Sequence, residues 1–352
     1  MARSRIPLGF LTPLLLVAFA AGAWSVAWFY LSGEADKRII AAIDEASGRG
    51  WTLDCEDRGI GGFPFRVEFR CAGAQLVIED ARGRTTIRSE ALLGVALVYK
   101  LDSAIVEVTG PTRIDTFELG GLRRNYLVAT DTARASFTSA DGQIVAVSVE
   151  ATRVTADIPS LGLLNSGEAS RISADRAEFH VRQAENAALD VSITIDNSQL
   201  AGELAQSLFE ATKLLAEKLD FLGQLTRTDA FRSASAAIDL AAWQGQGGEL
   251  RIQRLKVDTR ALDVEVSGVA RIDAFGNAEG KFKGIFGKLD LLIDELKARG
   301  VLDDDSARFA AGAVGLLARP IKGTSRVQLP VNVSDGEVFL GPIKTMILPP
   351  LF

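Results

Sequence analysis

The chain is poor in the residues that most catalytic chemistry requires. One histidine, His180, and two cysteines, Cys55 and Cys71, stand among 352 residues. One imidazole and two thiols cannot fill the nitrogen and sulfur ligand set of a zinc site. A hydrolase of the nucleophile and base kind needs a base beside a serine or cysteine, and His180 lies in the alternating segment AEFHVR with no elbow motif around it. Phosphate cradles are missing as well. GIGGF carries glycines, but no lysine followed by serine or threonine stands at P-loop spacing, and no G-x-G-x-x-G opens a helix. Acids number 45, so a carboxylate pair can be drawn almost anywhere and signals nothing by itself. Positive charge is in deficit, and a net charge of −6 speaks against the basic stripe of a general nucleic-acid binder. The expectation is a non-enzymatic protein without a cofactor or a nucleic-acid partner.

What the chain does have begins at Leu8. The run LGFLTPLLLVAFAAGAWSVAWFYL, Leu8 to Leu31, carries no charge. At about 1.5 Å per helical residue it extends roughly 36 Å, enough for a hydrocarbon core of about 30 Å. Leu8 and Leu15 lie in its body, and Trp24, Trp28 and Tyr30 suit an aromatic belt near its outer end, closed by Leu31. Arg3 and Arg5 precede it while Glu34 and Asp36 follow, so the positive-inside rule places the amino terminus in the cytoplasm and the body outside. Ala18, Ala20, Ala21 and Ala23 offer the alternative of a cleaved signal peptide, but the run continues to Tyr30, past a normal h-region, which favours a retained anchor. Cys55 and Cys71 then face an oxidising compartment, where a disulfide is the leading reading and two buried thiols the alternative.

Beyond the anchor, Ile39, Ile40, Ile43 and Ala46 recur at helical spacing until Gly48 and Gly50, predicting a juxtamembrane helix over 33–50. From Trp51 the period changes to that of strands. Gly59, Gly61 and Gly62 mark a turn between two strands, Pro64 reads as a cis bond or an edge-strand pin, and Arg66 and Arg70 alternate with Val67 and Phe69. Those two arginines are read as solvated strand charges, with anionic headgroup contact as the sharper alternative. Short strands follow one another to about Ile195. In LDVSITID the residues Leu189, Val191, Ile193 and Ile195 share one face, and Leu262, Val264 and Val266 repeat that pattern. Between these sets, Leu200, Leu204, Leu208, Leu215, Leu219 and Leu222 predict a long amphipathic helix over 199–222. A strand at AAIDLA, helices at 286–298 and 306–317, and a hairpin turning at Asp335 and Gly336 complete the chain. Asp303 to Asp305 are read as helix-capping acids and not as a Ca²⁺ loop.

Trp51, Cys55, the turn Gly61, Gly62, Phe63, Pro64, Phe65 and Arg66, and Cys71, behind an apolar amino-terminal run, resemble the bacterial family known as domain of unknown function 2125. VEVSGVARIDAFGNAEG and LPVNVSDGEVFLGPIK are also similar to segments of AsmA-like proteins. The first resemblance implies an inner-membrane-tethered periplasmic protein. The second implies a β-rich groove associated with phospholipids. Neither brings catalytic residues.

The expected architecture is mainly β with helices. Residues 1–32 are the cytoplasmic start and anchor, 33–50 the juxtamembrane helix, and 51–352 a curved, mostly antiparallel periplasmic domain with helical insertions near 199–222 and 286–318. The expected role is binding of lipid or another amphipathic envelope component along an apolar groove lined by Leu189, Val191, Ile193, Ile195, Leu262, Val264 and Val266. A structural or assembly partnership with envelope proteins is the alternative, and an enzyme the third possibility.

Overall fold

A computed structural model of the protein describes residues 8–80, 83–118, 120–160, 168–209, 213–232, 240–298, 303–341, 343–348 and 350–351. The architecture is antiparallel β sheet with a few helices and one long apolar amino-terminal helix. The chain divides into two compact units, residues 1–142 and 143–352.

The first unit opens with α1 (Leu8–Ser47), so anchor and juxtamembrane helix are one continuous element. It ends where expected, with Gly50 in the left-handed region at φ +86°. Eight strands follow: β1 (Trp51–Asp54), β2 (Asp57–Gly61), β3 (Arg66–Asp80), β4 (Gly83–Leu97), β5 (Lys100–Thr109), β6 (Thr112–Glu118), β7 (Arg123–Ala129) and β8 (Thr132–Ala140). The long β3 is the organising strand. It pairs with β1 and β2 on one side and with β4 on the other, and β4 pairs with β5 and β6. The first turn lies at Gly62 to Phe65, slightly later than the glycines alone suggested, and Gly59 is inside β2. The core gathers on one face of β3, where Phe69, Cys71 and Ala74 meet Ile39 and Ile43 of α1 together with Leu53, Ile60 and Leu92.

The second unit is a meander: β9 (Gln143–Ile158), β10 (Ser170–Ala184), β11 (Ala188–Ala201), β12 (Lys213–Leu225), β13 (Leu250–Asp258), β14 (Asp263–Ile272), β15 (Ala278–Gly287), β16 (Arg319–Pro320), β17 (Val327–Ser334), β18 (Glu337–Leu340) and β19 (Ile343–Ile347). Each strand from β9 to β15 pairs with the next, β15 then pairs with β17, and β17 with β16 and β18. Register carries one apolar row across eight strands: Val149, Phe179, Ile193, Phe221, Leu255, Val266, Gly284 and Leu329. The opposite face is charged and laced by pairs such as Arg254–Asp220 and Arg182–Asp190. At the β17–β18 turn Asp335 and Gly336 both have positive φ, as a two-residue hairpin turn matched to strand twist requires.

The helix expected over 199–222 is a correction. Leu200 lies in β11, a seven-residue helix α2 (Glu203–Phe209) follows, and Leu215, Leu219 and Leu222 belong to β12. A spacing of four satisfies both periods, because it is one helical turn and also two strand repeats, so the leucines alone do not choose. Cross-strand partners decide, with Leu219 opposite Ile195 and Val257. The strand expected at AAIDLA begins outside the described residues, and Leu240 opens helix α3 (Leu240–Gly245). Residues 210–212, Gly300, Pro342, Pro349 and Phe352 also lie outside them. The later pair of helices is α4 (Leu289–Ala298) and α5 (Asp304–Leu317), with Asp304 and Asp305 in the first turn of α5 as capping acids would be and Phe286 retained in β15. Strand β7 opens on the polar residues Arg123, Arg124 and Asn125, which obscure the alternation that follows.

Cys55 and Cys71 form a disulfide across sixteen residues, with Cα atoms 5.2 Å apart. Replacing both by serine should lower unfolding free energy by about 3 kcal/mol, read by thermal or denaturant unfolding of the full chain. A second expectation concerns acid. The guanidinium of Arg271, then that of Arg251, hold the Glu249 carboxylate below its ordinary value of 4.5 against the opposing effect of burial. A carboxylate with a depressed folded pKa stabilises above the unfolded value and loses that contribution as pH falls below it. The melting temperature should therefore drop on acidification below about pH 4.5, and Glu249→Gln should flatten that slope.

Candidate functional site

An apolar groove forms where α1 passes from its solvent-facing half to the sheet of the first unit. Leu14, Leu15, Leu16, Val17 and Phe19 are each exposed by 64% or more, so no protein core covers this end of the helix. The helix is long and apolar enough to cross a membrane. Ten residues further along, contact with the sheet begins. The indole Nε1 of Trp24 donates to the Pro64 carbonyl at 2.9 Å, and that of Trp28 donates to the Arg66 carbonyl at 3.0 Å. Phe63 meets Trp28 edge-on at 5.3 Å between centroids and stacks on Phe29 at 6.2 Å, while Phe65 lies 6.2 Å from Trp24. The turn motif Gly61 to Arg66 is thus the seat of the helix, with a cis peptide at Phe63–Pro64. Gly62 sits at φ +98°, and a Cβ there would come within 2.7 Å of the Arg66 carbonyl, so only glycine fits the tight turn.

Beside this clamp, Glu68 is buried at 4% exposure and pairs with both Arg66 and Arg70. Both arginines are therefore tied to a carboxylate within the strand, while their side chains stay about three-fifths exposed.

Past the clamp, α1 and the sheet line a cavity of about 800 Å³. Leu31, Ala35, Ile39, Ala42, Ile43 and Ala46 line it from α1 at three- and four-residue steps, which place one helical stripe toward the sheet. Val67 and Phe69 of β3, Leu92, Gly94 and Ala96 of β4, and Ala104 and Val106 of β5 form the floor. The hollow has a sequence cause. Val67, Ala96 and Ala104 stand in one cross-strand row and Phe69, Gly94 and Val106 in the next, so small residues occupy the places where large ones would fill the gap. Only Glu34 and Arg38 bring charge to the lining, and they neutralise each other at 3.3 Å.

The seven residues expected to line a groove lie in the second unit. Leu189, Val191, Ile193 and Ile195 alternate along β11, and register joins them through β12 and β13 to Val264 and Val266 on one face; Leu262 lies in the turn before β14. These residues are half-buried. Along the row these residues belong to, Leu329 is covered at 2% exposure while Phe179 and Val149 are exposed by 38% and 36%, so the face is closed at β17 and open at β9 and β10. His180 is exposed on the polar face between Ser148 and Ser192 of the neighbouring strands. Asp273, Glu279 and Asp335 bring carboxylate oxygens within 4.8 Å of one another, but Asp273 already accepts hydrogen bonds from the backbone of Phe275 and from Asn277.

The family described as "Uncharacterized protein conserved in bacteria (DUF2125)" matches residues 28–349. The chain belongs to this family. No curated protein and no solved structure matches it. The match begins at Trp28, the residue that clamps α1 to the sheet, so nearly all of the groove falls within the part shared with the DUF2125 family.

What sequence reading missed was the helix side of the groove. The stripe from Leu31 to Ala46 and the small residues in LLGVAL were both visible, but nothing in the sequence showed that they face each other. Trp28 is 6% exposed and Trp24 40% exposed, so the two clamp bonds should differ in weight. Trp28→Phe keeps an aromatic ring but leaves the Arg66 carbonyl unpaired, and should cost about 1–3 kcal/mol in detergent-solubilised full chain. Trp24→Phe should cost clearly less by the same thermal-unfolding measurement.

Proposed function

We propose that the protein is a non-catalytic, membrane-tethered lipid-binding protein whose groove between α1 and the first sheet receives acyl chains. The carrying observation is the cavity of about 800 Å³, whose lining is apolar apart from one neutralised ion pair and starts at Leu31, the last residue of the uncharged run. Its volume lies within the range of about 300–1,000 Å³ typical of ligand sites. An apolar hollow continuous with a membrane span favours a ligand that already resides in the membrane. In this reading the amino terminus is cytoplasmic, the anchor spans a bacterial inner membrane, and the body with its disulfide is periplasmic. The half-open apolar face of the second unit fits the same role, as does the likeness of its strands to AsmA-like segments.

A second reading, an assembly partner for envelope proteins, is favoured by one observation. Leu291, Phe309 and Leu316 on α4 and α5 are exposed by 53%, 71% and 88%. Such residues would suit a helical partner.

Filling the hollow tests the first reading. Gly94 is the apt position, because a Cβ there meets only Phe69 at an ordinary 3.6 Å and no backbone strain stands in the way. Gly94→Leu and Ala96→Phe should leave the disulfide and thermal stability intact. Phospholipid co-purifying with the full chain, measured by mass spectrometry, should fall about tenfold, equivalent to about 1.4 kcal/mol of binding. Equal lipid in filled and native protein would reject the groove as the binding site.

A further inference from the structure

We infer that the end of the first unit nearest the anchor is immersed in the membrane interface, with a lipid surface as its partner. Two hydrogen bonds fix the height of this end against α1. Trp24 lies sixteen residues after Leu8 and Trp28 twenty, or about 24 Å and 30 Å along the helix, against a hydrocarbon core of about 30 Å. The Arg66 carbonyl held by Trp28 therefore stands at the boundary of the core, and the Pro64 carbonyl held by Trp24 stands below it.

The β4–β5 hairpin is drawn to the same level. Arg66 pairs with Leu97, and the Val98 amide donates to the Phe65 carbonyl at 3.2 Å, which brings the hairpin tip beside the turn. What this end exposes is rich in aromatic rings. Phe63, Phe65 and Tyr99 are exposed by 52%, 60% and 73%, unusual for three aromatic rings on adjoining turns of a water-soluble surface. Arg66 and Lys100 are exposed beside them. Apolar rings flanked by long cationic side chains are the composition that settles at the headgroup and acyl boundary. The far end of β4 has a different character, for Arg84 there pairs with Glu79 in solvent, thirteen residues and up to about 43 Å from Leu97.

This placement concerns how the body sits on the bilayer and does not depend on whether the groove holds lipid. It does give the groove a mouth, since Val98, at the immersed tip, is itself a lining residue.

The test uses the full chain with one added thiol, which is selective because both native cysteines are bonded to each other. Tyr99→Cys, Lys100→Cys and, as the distant reference, Arg84→Cys are labelled with an environment-sensitive fluorophore. The proteins are reconstituted into vesicles of phosphatidylethanolamine and phosphatidylglycerol, with and without nitroxide-labelled lipid. Labels at positions 99 and 100 should emit at shorter wavelength than the label at 84 and lose about half of their intensity to a nitroxide near the headgroup, more than to one at mid-chain. The label at 84 should be unaffected. Using both 99 and 100 keeps the result independent of losing one tyrosine. Labels at 99 and 100 that behave like the one at 84 in these bilayers, which hold no other protein, would overturn the inference and point to a protein as the cover for these rings. Lipid binding by mass spectrometry stands or falls separately.

Discussion

The first unit depends on the grip of α1 on the turn after β2. Two indole N–H groups donate to backbone carbonyls at Pro64 and Arg66, and Phe63 and Phe65 close around the same helical turns. The bonds are directional and the rings are large, so the grip sets both the height of the sheet along the helix and the face of the helix turned toward it. Everything beyond follows as geometry. The stripe from Leu31 to Ala46 is aimed at β3, β4 and β5, and the disulfide with Phe69 and Ala74 forms the packed part of the contact. Where Gly94, Ala96 and Ala104 stand, packing stops and the hollow begins.

The second unit expresses a related constraint without such a grip. An antiparallel meander with alternating side chains makes one wet face and one apolar face. Here the apolar row crosses eight strands, past register shifts in the β12–β13 and β13–β14 pairings, with Val149 at one end and Leu329 at the other. The charged face needs nothing but water and ion pairs. The apolar face is only half-buried, with Phe179 and Val149 exposed by 38% and 36%, so area that a closed core would remove from water is left available. Each unit thus leaves apolar surface incompletely covered.

Some of this was written in the sequence and some was not, and the division follows the range of the forces involved. Local rules sufficed for the uncharged run that makes α1, for its end near Gly48 and Gly50, for the Asp335–Gly336 turn, and for the alternation in β11 and β14 that marks a one-sided sheet. Each depends on residues within a few positions of one another. The leucines from 200 to 222 show where local rules fail, since their spacing of four fits helix and strand alike and only the neighbouring strands select the extended form. The groove was beyond reach for the same reason. Its walls lie on α1, from Leu31 to Ala46, and on strands β3 to β5, from Val67 to Val106, and the carbonyls that bring them together belong to a turn whose only local signal was to be a turn. Sequence alone determined a long apolar amino-terminal helix, a β-rich body and two-faced strands, because these follow from composition and period. Which apolar face meets the helix, and that small residues there leave a cavity, was decided by tertiary structure, because a void is a property of the distance between elements and not of either one.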